Sequence, residues 1–406
     1  MNREVHPAFM CAPPFVRRAS LASAEVDPRA IATPTNRQTS QFPVRGRGES
    51  GWWIVRITRG GAPAILGLAL AVALVTGACS SGGGAKAISG AGSTFAQPVY
   101  QAWAQNFVSA GGQQVNYQGV GSGAGIQDFA NNTVAFGATD VPLQSSDPQP
   151  KGAYIQFPTM VGAVALLYNV SGVPNGLKLD GATTADIFMG TITKWNDPAI
   201  AKLNPGVTLP GTSISTVHRS DESGTTAVFT GWLADESPTW QSKIGSGKAV
   251  QWVGGTGANG SSGVAADVKQ TNGAIGYASQ DYAVSSGLSS AAVKAPDGSF
   301  VSPTTAAMTA AGGGLKFPIT ATTNILNSTT PGAYPIATTT YVLIYKDQTD
   351  QKAAQTLISF FHWGLTKGQL KLKSLNYAPL PARVAAGALA LLKTVKANGS
   401  AITPSP

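Results

Sequence analysis

The stretch Val217-His218-Arg219-Ser220-Asp221-Glu222-Ser223-Gly224-Thr225-Thr226 gathers an arginine, two acids, four hydroxyls and a glycine. Arg219 can offer a two-pronged donor to a tetrahedral oxyanion. Asp221, two residues on, can pair with that guanidinium and hold its plane. Ser223, Gly224 and Thr225 stand where a helix would begin, so unpaired backbone N–H groups and the positive dipole end would attract an anion there. Gly224 lets the backbone approach a ligand with no Cβ in the way. The plainer alternative is an ordinary capped helix with a surface Arg–Asp pair.

The flanking patterns supply the elements that would position these groups. Thr212–Val217 alternates and predicts a short strand, and Val228, Trp232 and Phe229 fall on one face of a following helix. Three further segments repeat strand, turn and helix. Ala87–Pro98 gives a strand, a glycine turn bearing Ser93, Thr94 and Phe95, then a helix through Trp103; Ser and Thr there are helix-capping types. Val115–Ile126 gives a strand and a glycine-rich turn with Ser122. That turn lacks the Gly-Lys-Ser/Thr of a nucleotide loop, and its glycine spacing is not the dinucleotide fingerprint. Val134–Leu143 gives a strand ending at Asp140, whose ordinary role would be to initiate a turn. Turns carrying Thr94, Ser122, Asp140 and Arg219 predict convergence at the C-terminal edges of parallel strands, where α/β sheets bind ligands.

The 406 residues allow two domains and a large core. Charged residues are only 12% and the net charge is +9. Nine Arg and four acids of residues 1–59 carry most of that excess, and no basic stripe follows, so nucleic acid is not a partner. The three histidines, His6, His218 and His362, show no metal-ligand spacing. His218, Ser220 and Asp221 are triad residue types, but neighbours on a strand cannot adopt triad geometry. There is no nucleophile elbow either, so the chain is not read as an enzyme.

Cys79 is one of two cysteines and follows the apolar run 62–78, itself preceded by Arg56 and Arg59. Basic start, apolar middle and small residues before the cut are the order of a secretory signal; a membrane anchor is the alternative, for which the run is short. Gly77-Ala78-Cys79 resembles a bacterial lipobox, departing from it at Thr76, where leucine is usual. We therefore expect 55–78 as the signal and Cys79 as the lipidated first residue. Residues 79–86 are then a flexible tether, and 1–54 a disordered or mis-started extension.

Several motifs together resemble the phosphate-binding lipoprotein of bacterial phosphate ABC transporters. They are Gly-Ala-Gly-Ser-Thr-Phe, Val-Asn-Tyr-Gln-Gly-Val-Gly-Ser-Gly, Phe-Gly-Ala-Thr-Asp-Val-Pro-Leu and Arg-Ser-Asp-Glu-Ser-Gly-Thr-Thr. Asp186–Ile200, Gly273–Tyr277 and Tyr377–Pro381 extend the match to about residues 86–395. The resemblance implies an α/β fold, a two-lobed type II periplasmic-binding-protein clamshell with the second lobe inserted in the first. Lobe I would comprise 87–166 and 338–406, and lobe II 167–337. Val161–Asn169 would cross between lobes, Thr338–Tyr345 would return, and 299–335 would form an irregular flap.

The resemblance also implies a lipid-anchored receptor outside the cytoplasmic membrane, using no cofactor. It would bind inorganic phosphate and deliver it to the permease subunits and ATPase of an importer. Thr94, Phe95, Ser122, Ser223, Gly224 and Thr225 would donate backbone or hydroxyl bonds, Arg219 would supply the charge and Asp221 would orient it. Asp140 would accept a phosphate proton; sulfate or molybdate, having none, would leave that carboxylate unpaired. Glu222 replaces a glycine common in that family and is expected to point outward. A lipoprotein that had kept the fold without the ligand would be expected to lose at least one of these positions, and none is lost.

Overall fold

In the computed structural model, which describes residues 86–405, the strand–turn–helix repeats occur in chain order. Expectations placed on the extension, the signal, Cys79 and most of the tether lie outside the described residues. The first half of the fold begins with β1 (Ile88–Gly92), α1 (Gln97–Ser109), β2 (Val115–Gly119), α2 (Ser122–Ala130) and β3 (Phe136–Thr139). A long strand, β4 (Tyr154–Asn169), follows. Next come β5 (Ser215–Arg219), α3 (Gly224–Glu236), β6 (Thr256–Ala258), α4 (Gly260–Gln270), β7 (Ala274–Ser279) and the short helix α5 (Gln280–Ser286). The chain returns through β8 (Ala337–Tyr345) and α6 (Gln351–Leu365).

One mixed sheet carries the whole arrangement, in the order β2-β1-β3-β8-β4-β7-β5-β6. β1 lies parallel to β2 and β3, and β5 lies parallel to β7 and β6. β4 joins the two sets. Its Tyr154–Ala163 portion pairs antiparallel with β8, and its Val164–Asn169 portion pairs antiparallel with β7. Phe157 through Tyr168 are buried without interruption, which is why this strand reads as a continuous apolar run rather than an alternating one. The crossing therefore falls inside one strand, at the Ala163–Val164 step.

Two expectations change in detail. β8 pairs only with β3 and the first part of β4, and Val164 N–H already bonds Ile336 C=O; the chain has returned before Ala337 rather than along Thr338–Tyr345. The stretch 299–335 is not wholly irregular either, because Thr305–Gly312 forms a helix that Thr304 caps through Ala307 N–H. Its residues are mostly Ala, Thr and Gly, and burial of Ala307, Met308 and Ala311 stabilises it where the sequence alone gave no pattern.

Each half has an aromatic core that fixes the helices behind the strand ends. Tyr100, Trp103, Tyr117, Phe136 and Phe361 pack edge-on and stacked beneath α1 and α6. In the second half Phe229 of α3 stacks on Tyr277 of β7 and meets Phe188 edge-on. α2 sits so close to β1 that a Cβ on Gly125 would lie 2.2 Å from the Gly92 Cα. Only glycine allows that approach, and it sets α2 and Ser122 at the end of β1.

Candidate functional site

Arg219 is the last residue of β5, and its side chain is buried at 1% exposure. Its backbone N–H donates to the Tyr277 hydroxyl at 3.1 Å. Nε donates to Asp221 Oδ1 at 2.6 Å and Nη2 to Asp221 Oδ2, so the carboxylate grips one edge of the guanidinium. Gly260 N–H, at the start of α4, donates to the same Oδ1 at 3.1 Å. Burial alone would raise the Asp221 pKa; the hydrogen bonds and charge of Arg219, with Gly260, outweigh it and leave the carboxyl below its ordinary value. Nη1 is buried and has no partner. Among the described residues it is the only charged group with a buried, unbonded polar atom. The surface-pair reading of this loop is excluded.

Asp140 follows β3 directly and is 1% exposed. Its Oδ1 accepts from Ser93 Oγ at 2.5 Å and from Thr340 Oγ1 at 2.8 Å, and its Oδ2 accepts from Thr225 Oγ1 at 3.2 Å. Its backbone joins the same knot: Asp140 N–H donates to Ser122 Oγ and its C=O accepts from Thr338 Oγ1. A turn-initiating aspartate would be exposed and bonded locally, so that reading fails. Burial pushes Asp140 above its ordinary pKa, while Ser93, Thr340, the Arg219 charge and Thr225 hold it down. With three donors already accepted, Oδ2 retains a lone pair for one more.

Four helix mouths surround these two groups. Ser223 caps α3 by accepting from Thr226 N–H at 3.1 Å. Ser93 Oγ accepts from Ala96 N–H, so Ser93 serves α1 although the cap position itself is Ala96. Thr94 Oγ1 accepts from Ser261 N–H at 3.2 Å and faces Ser261 Oγ at 3.0 Å, tying the turn after β1 to α4. Gly224 packs against the turn bearing Asp140; a Cβ there would lie 2.5 Å from Ser122 Oγ and 2.7 Å from Asp140 N. Phe95 is fully buried, its ring against Gly162 and edge-on to Tyr377, so only its backbone can serve the site.

The two halves of the sheet are thus closed on one another. Gly123 N–H bonds Glu222 C=O at 3.0 Å, and the Glu222 side chain, exposed as expected, lies against Gly123. Lys248 and Asp147 form a largely buried ion pair across the same gap at 2.5 Å. They border a groove of about 880 Å³ that Asp221 and Glu222 also line. The structure brings Thr94, Ser122, Asp140, Arg219, Asp221, Ser223, Gly224 and Thr225 together at the strand ends. Sequence reasoning missed Thr338, Thr340, Ser261 and Tyr277. Ser93 was noted only as a capping type. No spacing rule connects Thr340 to Asp140, two hundred residues away; a register slip between Thr340 and Tyr341 marks the strand just there.

Helix mouths, a charged donor with a free N–H and a buried acceptor, set in the cleft of a curled two-part sheet, define an anion-binding protein of the periplasmic-binding-protein class. Residues 77–362 match the family described as a PBP superfamily domain. The chain is 40% identical over 297 residues to the phosphate-binding protein PstS of Xylella fastidiosa, a match covering 72% of this chain and 81% of that one. It is 37% identical over 303 residues to PstS of Haemophilus influenzae, covering 74% and 90%. The phosphate-bound periplasmic protein PfluDING superposes with a TM-score of 0.60 at 25% identity, covering 75% of this chain and 93% of that one. The chain belongs to the PstS family of phosphate-binding proteins.

The contact at Gly224 yields a direct test of closure. A methyl group at that position would meet backbone of the opposite half, which cannot give way as a side-chain tip can. Gly224→Ala should keep its circular dichroism but show a larger radius of gyration by small-angle scattering. A radius and profile identical to wild type in the closed form would contradict the packing described.

Proposed function

We propose that this chain is a receptor for inorganic phosphate, which it binds in the cleft and hands to an ABC importer composed of permease subunits and an ATPase. It is a binding protein and not an enzyme, in keeping with its family. The observation that carries the reading is the presence, in one closed site, of an unpartnered Arg219 Nη1 and a buried Asp140 carboxylate. Arg219 supplies charge and a directed donor, and Asp221 holds its plane. Thr94, Phe95, Ser122, Ser223, Gly224 and Thr225 supply backbone N–H groups or hydroxyls. An anion oxygen would complete the bonding of Nη1, whose burial without a partner is otherwise costly. The two lobes, divided at the Ala163–Val164 step of β4 and again before Ala337, close over the anion and present a joint surface to the permease.

Asp140 sets the selectivity. Phosphate near neutral pH carries at least one O–H that can donate to Oδ2, whereas sulfate carries none. Sites that hydrogen-bond a ligand O–H reject analogues lacking it by roughly 10⁴–10⁵. Because the Asp140 pKa lies above its ordinary value, sulfate should gain as pH falls and the carboxyl takes up a proton. Asp140→Asn should reproduce that gain at neutral pH, sulfate tightening while phosphate changes less. An unchanged phosphate-to-sulfate affinity ratio would remove Asp140 from the site.

We further propose that the mature chain lies on the outer face of the cytoplasmic membrane, held by lipid on Cys79, a reading supported by the basic and apolar run that ends at Gly77-Ala78-Cys79. Intact-mass spectrometry of the native protein should find diacylglycerol on a chain beginning at Cys79. Residues 1–78 still attached would end that part of the proposal.

A further inference from the structure

Behind the cleft, at the β4 crossing, three groups from different elements meet around one phenol. Tyr377 is held in the first half, its neighbour Ala378 bridging to Val161 of β4. Its hydroxyl lies 2.5 Å from the Phe95 carbonyl oxygen and 2.6 Å from Asp281 Oδ1, with Ser279 Oγ at 3.3 Å. Asp281 and Ser279 belong to the second half, at the junction of β7 and α5. The next residue, Tyr282, donates through its hydroxyl to the Thr94 carbonyl at 3.1 Å. Both peptide groups flanking Phe95 are therefore gripped from behind. The Thr94 carbonyl shares its peptide plane with the Phe95 N–H, a proposed anion donor.

The proton count of this cluster is decisive. A phenol has one proton to donate, a carbonyl has none, and an ionised carboxylate has none. Two oxygen contacts this short on one hydroxyl are both full two-centre hydrogen bonds only if the carboxyl carries a proton and donates it to the phenol oxygen, since one proton shared between two acceptors gives longer, bent bonds. Tyr377 then donates its own proton to Phe95. We propose that Asp281 and Tyr377 are positioning residues for the Phe95 peptide, and that the closed form takes up one proton from solvent at Asp281 to complete them. The proposal rests on the phosphate reading and deepens it.

The surroundings suit a neutral carboxyl. Burial pushes Asp281 up to about 6, against the hydrogen bonds of Ser279, Tyr377 and the backbone N–H groups of Asp281 and Tyr282. No charged side chain is among these leading influences. The titratable groups facing it are the phenols of Tyr377 and Tyr282, both themselves pushed up by burial; Arg219 acts on Tyr282. The adjoining α4 contributes the ionisable residues Asp267 and Lys269. When the halves part, the carboxyl meets water and returns toward its ordinary value near 4. The raised value belongs to the closed form, so closure is favoured at low pH and loses that support as pH rises through about 6. Above it, the phenol proton is drawn to the carboxylate and the Phe95 carbonyl is released.

The test is calorimetric titration of inorganic phosphate into the full chain at pH 5 and pH 7, for wild type, Asp281→Asn and Tyr377→Phe. The asparagine amide donates to the phenol at every pH, as the protonated acid does. The ratio of wild-type to Asp281→Asn dissociation constants should rise about tenfold between the two pH values, from the gap between the ordinary and raised pKa. Phosphate and Asp140 titrate alike in both proteins and cancel in that ratio. Tyr377→Phe, leaving the Phe95 carbonyl without its donor, should bind phosphate more weakly at both values. A constant ratio overturns the proton uptake, and undiminished binding by Tyr377→Phe overturns the positioning role. Wild type that binds no phosphate would instead defeat the functional reading itself.

Discussion

A guanidinium buried with one terminal nitrogen unpaired is an unstable thing to leave in a closed protein, and the elements around Arg219 converge on it. Asp221 neutralises the charge in part and fixes the plane, yet it occupies only Nε and Nη2. Nη1 stays free. An isolated buried charge costs several kcal/mol unless paired and hydrogen-bonded. A tetrahedral anion would relieve that cost, and in the proposed function closure and binding are then one process. Asp140 adds the opposite constraint, a buried acceptor that in the proposed function would favour an anion able to donate.

Positioning these groups depends on the two sets of parallel strands presenting their C-terminal ends to one cleft. β4 makes this possible by pairing with β8 along one part and β7 along the next, so a single strand registers both halves. Close backbone approach does the remainder. Gly125 lets α2 settle on β1, and Gly224 lets the mouth of α3 touch the turn at Asp140. The cross-gap contacts Lys248–Asp147, Gly123–Glu222 and Thr94–Ser261 hold the closed geometry from the groove side. Tyr377, Asp281 and Tyr282 hold it from behind.

Much of this was legible in the sequence because it is local. Strand, glycine turn and helix mouth are contiguous, so Ser122, Asp140, Arg219 and Ser223–Thr225 could be read as a converging set. The Arg219–Asp221 pair was visible from a spacing of two. What could not be read depends on pairing between distant strands. Thr340 and Thr338 look like ordinary β-branched strand residues, and only the order β3-β8-β4 sets them on Asp140. Tyr377 and Asp281 are nearly a hundred residues apart and belong to different halves. The helix Thr305–Gly312 was hidden by small residues that give no amphipathic stripe, its stability coming from tertiary burial.

Arg219 is the charged centre of the site, and its removal is the most direct measurement. Phosphate titrated calorimetrically into Arg219→Ala, beside wild type at fixed salt and pH 7, should bind about 2–5 kcal/mol more weakly, as expected when one partner of a buried charge pair is lost. The fold should survive, since the open cleft is solvated. A loss below about 0.5 kcal/mol, the scale of an exposed ion pair, would contradict the account, because a buried guanidinium waiting for an anion cannot be dispensable.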